Sequence, residues 1–234
     1  MKRGFIRCVW GIYDNSHRIT ARRQKIDRDI NRIKNNKFNE PFVVYIYGKD
    51  NYERLSKEGF DCKLIDENPA PFDLIKHQYR HKMELIKYAM EVDGYDELVY
   101  LDWDCDPQKK LASDFWEKCG RRGPIQACLQ QYHNKKCHWR HESKRKVPNG
   151  GCLYIRDKTL PDRAIKYWET MPQDNDEPAW AKLIDELMGG WVNWEVSGKI
   201  FLETYEMMYC ALWKGCPYTQ EQMNQKDICF IHFI

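Results

Sequence analysis

Short runs of apolar, β-branched and aromatic residues alternate with segments of helical spacing over the first 101 residues of the chain. The short runs predict strands, and apolar residues that recur every three or four positions predict amphipathic helices. The predicted strands cover 5–13, 41–47, 61–65 and 98–101, and the predicted helices cover 18–37, 51–58 and 75–92. Strands that alternate with helices usually pair in parallel, so we predict an α/β domain with a central sheet flanked by helices.

The rest of the chain is less regular. Further strands are predicted at 125–129, 151–155 and 228–233, and further helices at 111–118, 162–170 and 179–188. No linker-like segment divides the chain, and 234 residues suit one domain better than two. We therefore predict a single domain over 1–234.

The cellular setting is predicted from what the sequence lacks. It contains no signal-peptide pattern and no apolar run long enough to cross a bilayer, so we expect a cytoplasmic protein. Ten cysteines are scattered through the predicted strands and helices. In a chain without an export signal we expect them to be mostly reduced thiols.

Acidic residues follow the most apolar of the predicted strands. The run 98–101 (LVYL) leads directly into 102–106 (DWDCD). In extended backbone, side chains two positions apart project to the same side, so Asp102 and Asp104 can bind one hard cation together. The carboxyl ends of central strands are also where open α/β sheets bind their ligands. The sequence therefore predicts a divalent cation site here, with Asp104 and Asp106 as an alternative pair.

Four segments resemble one known family. The sequence YLDWD at 100–104, with the helix before it, resembles the DxD motif and leading helix of GT-A-fold glycosyltransferases, in particular the glycogenin-like group. The segment 148–155 (PNGGCLYI) is similar to that group's FNAGVMLI strand, 176–180 (DEPAW) to its DQxALN helix start, and 231–233 (IHF) to its C-terminal HF segment. The segments occur in the family's order. The resemblance implies a GT-A-type, Rossmann-like fold with a mixed, mainly parallel sheet.

The resemblance also implies a function and a metal site. It implies transfer of a sugar, hexosyltransferase-like, from a nucleotide-sugar donor, by default a UDP-sugar, with retention of configuration. Asp102 would contact the ribose and the cation, and Asp104 and His232 would bind the cation that bridges the two phosphates. Carboxylate and imidazole ligands suit Mn²⁺ or Mg²⁺. Residues 1–106 would form the nucleotide-binding half and 107–234 the acceptor-binding half.

Other residues are predicted to complete the donor and acceptor sites. Tyr13 and Asp14, at the end of the first predicted strand, would hold the base and ribose, and Trp103 would join them. Arg80 and Lys82 open the helix before the acidic motif and could neutralise the diphosphate.

Small and acidic residues in the second half complete the prediction. Gly150 and Gly151 would allow close approach to the sugar, with the Asn149 amide available to its hydroxyls. Asp176 and Glu177 would hold donor or acceptor hydroxyls as the catalytic carboxylates, although they could equally cap the helix that follows.

The acceptor is not readable from the sequence, and other functions remain open. A glycan is one possible acceptor. A hydroxymethylated base in DNA is another, because the segment 133–146 is strongly basic and basic clusters bind phosphates. One alternative is a zinc-containing nucleic-acid-binding protein, with ligands drawn from Cys119, Cys128, Cys137, His138 and His141. Another is a sugar nucleotidyltransferase, although no Gly-rich phosphate loop is present near the N-terminus.

Overall fold

Fifteen helices and strands are formed by the residues that the computed structural model describes, which are 1–10, 17–67, 78–131, 147–170, 176–188, 206–210 and 228–233. The strands are β1 (Arg3–Trp10), β2 (Phe42–Tyr47), β3 (Cys62–Asp66), β4 (Glu97–Leu101), β5 (Cys105–Pro107), β6 (Ile125–Gln131), β7 (Val147–Ile155), β8 (Glu206–Cys210) and β9 (Ile228–Phe233). The helices are α1 (His17–Asn35), α2 (Lys49–Lys57), α3 (Gln78–Glu91), α4 (Phe115–Arg122), α5 (Leu160–Glu169) and α6 (Glu177–Met188).

The N-terminal strands pair in parallel, as their alternation with helices predicts. β1 lies between β2 and β4, and β3 pairs with the far side of β2. The register places Arg7 of β1 beside Leu101, the last residue of β4. Because parallel strands end at the same edge of a sheet, the residues that follow β4 lie next to the carboxyl-terminal half of β1.

Antiparallel strands extend the sheet on the other side of β4. The order across the described strands is β3-β2-β1-β4-β7-β6-β8-β9-β5. β7 is antiparallel to β4 and β6, and β5 is antiparallel to β9, while β8 is parallel to both of its neighbours. The prediction of a mixed, mainly parallel sheet flanked by helices is confirmed.

Helices cover both faces of the sheet. The largest apolar cluster joins α3, α5 and α6 to one face, and a second cluster joins α1 and α2 to the other. Side chains alternate between the faces along a strand, so Ile6 and Cys8 of β1 face the first cluster and Val9 faces the second. Burial is nearly complete at the centre, where all five residues of β4 are buried.

Two strands were not predicted, and one helix begins later than predicted. β5 is three residues long and ends in Pro107, which cannot donate to a ladder, so it has no strand signature. β8 was also not predicted. α4 begins at Phe115, later than the predicted 111–118. The final strand is confirmed at 228–233.

The structure bears on two predictions about the cellular setting, one on membrane spans and one on the state of the cysteines. No helix among the described residues is long and apolar enough to cross a membrane. Five described cysteines, Cys8, Cys62, Cys105, Cys119 and Cys152, are free thiols.

Candidate functional site

A buried lysine lies between two aspartates at the carboxyl edge of β4. Lys82 Nζ is 3.2 Å from Asp102 Oδ1 and 2.8 Å from Asp176 Oδ2. The Lys82 and Asp176 side chains are 2% and 3% exposed, whereas Asp102 is 20% exposed. Burial opposes the ammonium charge, but the two carboxylates outweigh it and raise the pKa of Lys82 above its usual range. Lys82 is therefore charged at neutral pH, and it joins residues that are distant in sequence.

Three elements bring this group together. Lys82 lies in the early part of α3, Asp102 directly follows β4, and Asp176 directly precedes α6. The Asp176 carbonyl accepts hydrogen bonds from the backbone of Ala179 and Trp180, at 3.1 and 3.2 Å, so this residue fixes the start of the helix. Its carboxylate therefore points to Lys82 from a rigid position.

Aromatic donors give each aspartate a second partner. The Trp180 indole donates to Asp176 Oδ2 at 2.8 Å. The Tyr100 hydroxyl donates to Asp102 Oδ1, the same oxygen that faces Lys82. Trp180 and Tyr100 are fully buried, so these hydrogen bonds hold both carboxylates in fixed orientations.

Two glycines of β7 lie beside the group of Lys82, Asp102 and Asp176. A Cβ added at Gly150 would lie 2.8 Å from Asp176 Oδ2 and 3.3 Å from Lys82 Nζ, so the ion pair occupies the space that a side chain would need. The Gly151 carbonyl accepts a hydrogen bond from the Asp102 amide at 2.8 Å. β7 therefore places its backbone against Asp102, Lys82 and Asp176, and the predicted approach of a sugar to the two glycines stays a prediction.

Gly150→Ala is expected to lower the free energy of unfolding by about 1–3 kcal/mol, since the added Cβ would displace the Lys82–Asp176 pair, as overpacking does. Urea unfolding of purified protein would measure this. Gly120→Ala is a matched control, because its Cβ would meet the guanidinium of the exposed Arg156 at 3.1 Å, and that side chain can move. Equal losses in the two variants would contradict the role given to Gly150.

Asp106, the third acid of the motif, pairs with two arginines. Asp106 Oδ1 accepts from Arg7 at 2.8 Å, and its other oxygen contacts Arg32. The Asp106 carboxylate is 1% exposed. A carboxylate held by two guanidinium groups is a poor cation ligand, so the geometry favours Asp102 with Asp104 over Asp104 with Asp106.

Asp104 and His232 are brought near each other by the backbone. Asp104 is 5% exposed. It precedes β5, which pairs with β9 so that Cys105 lies opposite His232. The His232 backbone is therefore one residue from Asp104 in register, while its side chain lies outside the described part. Among described residues, no group of three or more His, Cys, Asp and Glu side chains is clustered as a metal site would be.

Some predicted donor-site residues lie elsewhere. Arg80 pairs with Glu84 and Glu169, each at 2.8 Å, between α3 and α5. The Trp103 indole donates to the Ile26 carbonyl at 3.2 Å within the core. We therefore leave the Arg80 and Trp103 side chains out of the proposed donor site.

Other predicted residues lie outside the described part of the structure or are described only in part. Tyr13, Asp14 and the basic segment 133–146 lie outside the described residues, as does the side chain of Asn149. The zinc hypothesis depends on that segment for three of its ligands. Glu177 is partly exposed in the first turn of α6.

Sequence reasoning missed Arg7, Arg32, Tyr100 and Trp180. One signal was available for Arg7, which interrupts the apolar run FIRCVW of β1. An arginine in a buried strand almost always has an acidic partner, so its presence indicated a polar network beneath the site.

Comparison with known proteins supports the fold. No protein-family model and no curated protein sequence matches the chain. The galactosyltransferase LgtC, solved with donor and acceptor sugar analogues, matches with a TM-score of 0.51 and 14% identity over 98% of this chain and 86% of its own. An active-site mutant of LgtC matches with a TM-score of 0.51 and 15% identity over 98% and 86% of the two chains. Mouse xyloside xylosyltransferase 1 gives a TM-score of 0.46 and 12% identity over 99% and 97%. At such identities the likeness to LgtC shows the fold alone, and the predicted GT-A-type fold is confirmed.

Proposed function

We propose that the chain is a metal-dependent glycosyltransferase that moves a sugar from a nucleotide-sugar donor to a hydroxyl acceptor. The observation that carries the proposal is the Lys82, Asp102 and Asp176 group at the carboxyl edge of the central sheet. This edge is where sheets of this class bind ligands. LgtC, which has the same fold, binds donor and acceptor sugar analogues.

A divalent cation fits the residues present. Asp102 keeps a fifth of its side chain exposed, Asp104 is two residues away, and the backbone of His232 lies beside the turn that joins them to β5. These oxygen and nitrogen ligands suit Mn²⁺ or Mg²⁺. We propose that Asp102, Asp104 and His232 hold the cation, which when bound would stabilise the charge that develops on the departing diphosphate.

Lys82 has a definite place in this proposal. Its ammonium already neutralises Asp102 and Asp176, so the site can hold closely spaced carboxylates without the full cost of their repulsion. When a diphosphate enters, the same ammonium is positioned to attract it. Because Lys82 stays charged at neutral pH, it acts as a fixed cation and not as a proton donor.

Asp176 is proposed to position hydroxyl groups. It is held by Lys82 and Trp180, and the absence of a side chain at Gly150 leaves its carboxylate beside the β7 backbone. A rigid carboxylate at this point can accept a hydrogen bond from a sugar hydroxyl and so orient the sugar. Glu177, one residue later in the first turn of α6, is proposed to contact hydroxyls of the donor or acceptor.

This group also bears on the division into halves. Lys82 and Asp102 belong to the proposed nucleotide-binding half, 1–106, and Asp176 to the proposed acceptor-binding half, 107–234. The ion pair thus connects the two halves at the place where the sugar would pass from donor to acceptor.

The function is tested by screening nucleotide sugars for release of nucleoside diphosphate by purified protein. We expect release from one donor, with a UDP-sugar as the first candidate, only when Mn²⁺ or Mg²⁺ is present. Adding EDTA should abolish it, and excess Mn²⁺ should restore it. Release that is equally fast in EDTA, or no release from any donor, would overturn the proposal.

The acceptor is a glycan or a hydroxymethylated base in DNA. For DNA, we expect binding of duplex that weakens as salt is raised, because lysine and arginine contacts displace counterions from phosphates. Neutralising Lys144, Arg145 and Lys146 together should lower the affinity and the salt slope. DNA binding that does not change with salt or with these substitutions would remove DNA as the acceptor.

A further inference from the structure

A fully buried arginine lies under the acidic turn. Arg7 is 0% exposed and stands in the middle of β1. Its Nη1 donates to the carbonyl oxygens of Asp102, Trp103 and Cys105 at 2.8, 3.3 and 2.9 Å. Its Nη2 donates to Asp106 Oδ1 at 2.8 Å. One guanidinium group therefore contacts four of the five residues 102–106, all except Asp104.

A second arginine reaches the same turn from α1. Arg32 Nη2 donates to the Trp103 carbonyl at 3.2 Å, and Nη1 contacts Asp106 Oδ2. Asp106, at 1% exposure, thus lies between two guanidinium groups that come from different elements. We call Arg7, Arg32 and Asp106 the arginine clamp.

The clamp supplies hydrogen bonds to the backbone of this turn. The chain turns between β4 and β5, where the Cys105 amide donates to the Asp102 carbonyl at 2.9 Å and Arg7 donates to the carbonyls of Asp102, Trp103 and Cys105. A buried carbonyl without a hydrogen bond costs about 1–3 kcal/mol, and Arg7 serves three of them. The rigid fork of a guanidinium suits several acceptors at once, which a lysine ammonium cannot match.

Burying the guanidinium charge of Arg7 costs free energy, so its place in the central strand calls for an explanation. Burial lowers the pKa of Arg7 to about 10, although the neighbouring acidic groups raise it, so the charge persists at neutral pH. Replacing a buried ion pair with apolar residues is often neutral or stabilising for the fold alone. The hydrogen bonds from Arg7 to the backbone, which an apolar residue could not make, are therefore the contribution that is specific to this arginine.

We propose that Arg7 and Arg32, balanced by Asp106, are positioning residues that hold the backbone of residues 102–105 so that Asp102 and Asp104 bind the same cation. The clamp contacts the backbone of the turn and the carboxylate of the third acid. This inference rests on the proposed function, and it assigns Asp106 a part outside the metal's own ligands.

The test compares three variants with the wild-type protein. Arg7→Met combined with Asp106→Leu removes both charges together and deletes the donors to the three carbonyls. Arg32→Gln keeps the pair of Arg7 and Asp106, and so guards against a double variant that fails to fold. Arg3→Met is the matched control, since Arg3 is on the same strand and pairs with Glu97 at its other end, at 3.3 Å.

Three readouts separate positioning from a merely structural role. Hydrogen exchange of metal-free protein reports the order of residues 100–107, urea unfolding reports stability, and calorimetry reports the Kd for Mn²⁺ in the presence of UDP. In the double variant we expect exchange at least tenfold faster in 100–107 and a Kd raised about tenfold to a hundredfold, as outer partners of metal ligands give, under conditions in which urea unfolding shows the variant to be fully folded. Arg32→Gln should raise the Kd less, about threefold to tenfold, and Arg3→Met not at all.

The outcomes distinguish the two proposals. If the wild-type protein binds no Mn²⁺ with UDP, the proposed function fails, and the inference fails with it. If the wild-type protein binds Mn²⁺ and both clamp variants keep its Kd within twofold, only the clamp is overturned. A Kd that rises equally in Arg3→Met would also overturn it, because the effect would then be a general loss of stability.

Discussion

Asp104→Asn is expected to lower kcat for nucleoside diphosphate release about a thousandfold while the protein stays folded. The substitution keeps the size of a side chain that is 5% exposed, but it removes a full negative charge from the proposed cation ligands. A bound cation supplies several kcal/mol of charge stabilisation, and about 4 kcal/mol corresponds to a factor of about a thousand. Turnover at saturating donor and Mn²⁺ would measure the change.

Asp157→Asn provides the comparison for this substitution. Asp157 also follows a strand, β7, but at the opposite edge of the sheet, where it caps Thr159 at 2.8 Å. Asparagine can make the same cap, so kcat should stay within about twofold of the wild-type value. An Asp104→Asn enzyme that keeps a tenth or more of the wild-type kcat would contradict the role of Asp104.

Lys82→Met is expected to be the most destabilising single change at the site, lowering the free energy of unfolding by about 3–5 kcal/mol. It leaves Asp102 and Asp176 close together without the ammonium that lies between them. Urea unfolding at pH 7 would measure the loss. Because folding raises the pKa of Lys82, its contribution is complete below the ordinary lysine value of about 10.4 and is lost only as the pH rises above it.

Lys87→Met is the matched control on the same helix. Lys87 is 33% exposed and pairs with Asp162 at 2.9 Å, so the same substitution should cost less than about 1 kcal/mol. If Lys82→Met and Lys87→Met were equally stable, the buried ion group would not be the structural centre of the site.

The strands of the first half could be predicted because each has a local signature. β2 and residues 98–101 of β4 are unbroken apolar runs, and α3 shows regular apolar spacing, so local pattern and final structure agree. β5 carries no such signature. It exists because β9 returns to pair with it, a contact between residues 105–107 and 230–232 that no local pattern encodes.

The sequence indicated individual candidate residues but not which of them contact one another. The position of Asp102 after a buried strand and the small residues at Gly150 and Gly151 were informative by themselves. The contact of Lys82 with Asp176 was not, because their separation of 94 positions is closed only by packing of α3 and α6 on the same face of the sheet. Lys82 was predicted to neutralise the donor diphosphate, and its carboxylate partners Asp102 and Asp176 became visible only in the structure.

Trp103 shows the limit of strand-based reasoning at the motif. The sequence predicted extended backbone at 102–104, but the structure forms a turn there, closed by a hydrogen bond from the Cys105 amide to the Asp102 carbonyl at 2.9 Å. The Trp103 indole packs against Phe60 and donates to the Ile26 carbonyl. Alternation of side chains along a strand therefore does not apply to these residues.

The most direct test of the account is a titration of metal-free protein with Mn²⁺ in the presence of UDP, followed by the electron paramagnetic resonance signal of the free ion. The account predicts one tightly bound Mn²⁺ per chain, with binding weakened at least tenfold in each of Asp102→Asn, Asp104→Asn and His232→Ala. Wild-type protein that leaves the Mn²⁺ signal undiminished, or three variants that bind as the wild type does, would contradict it.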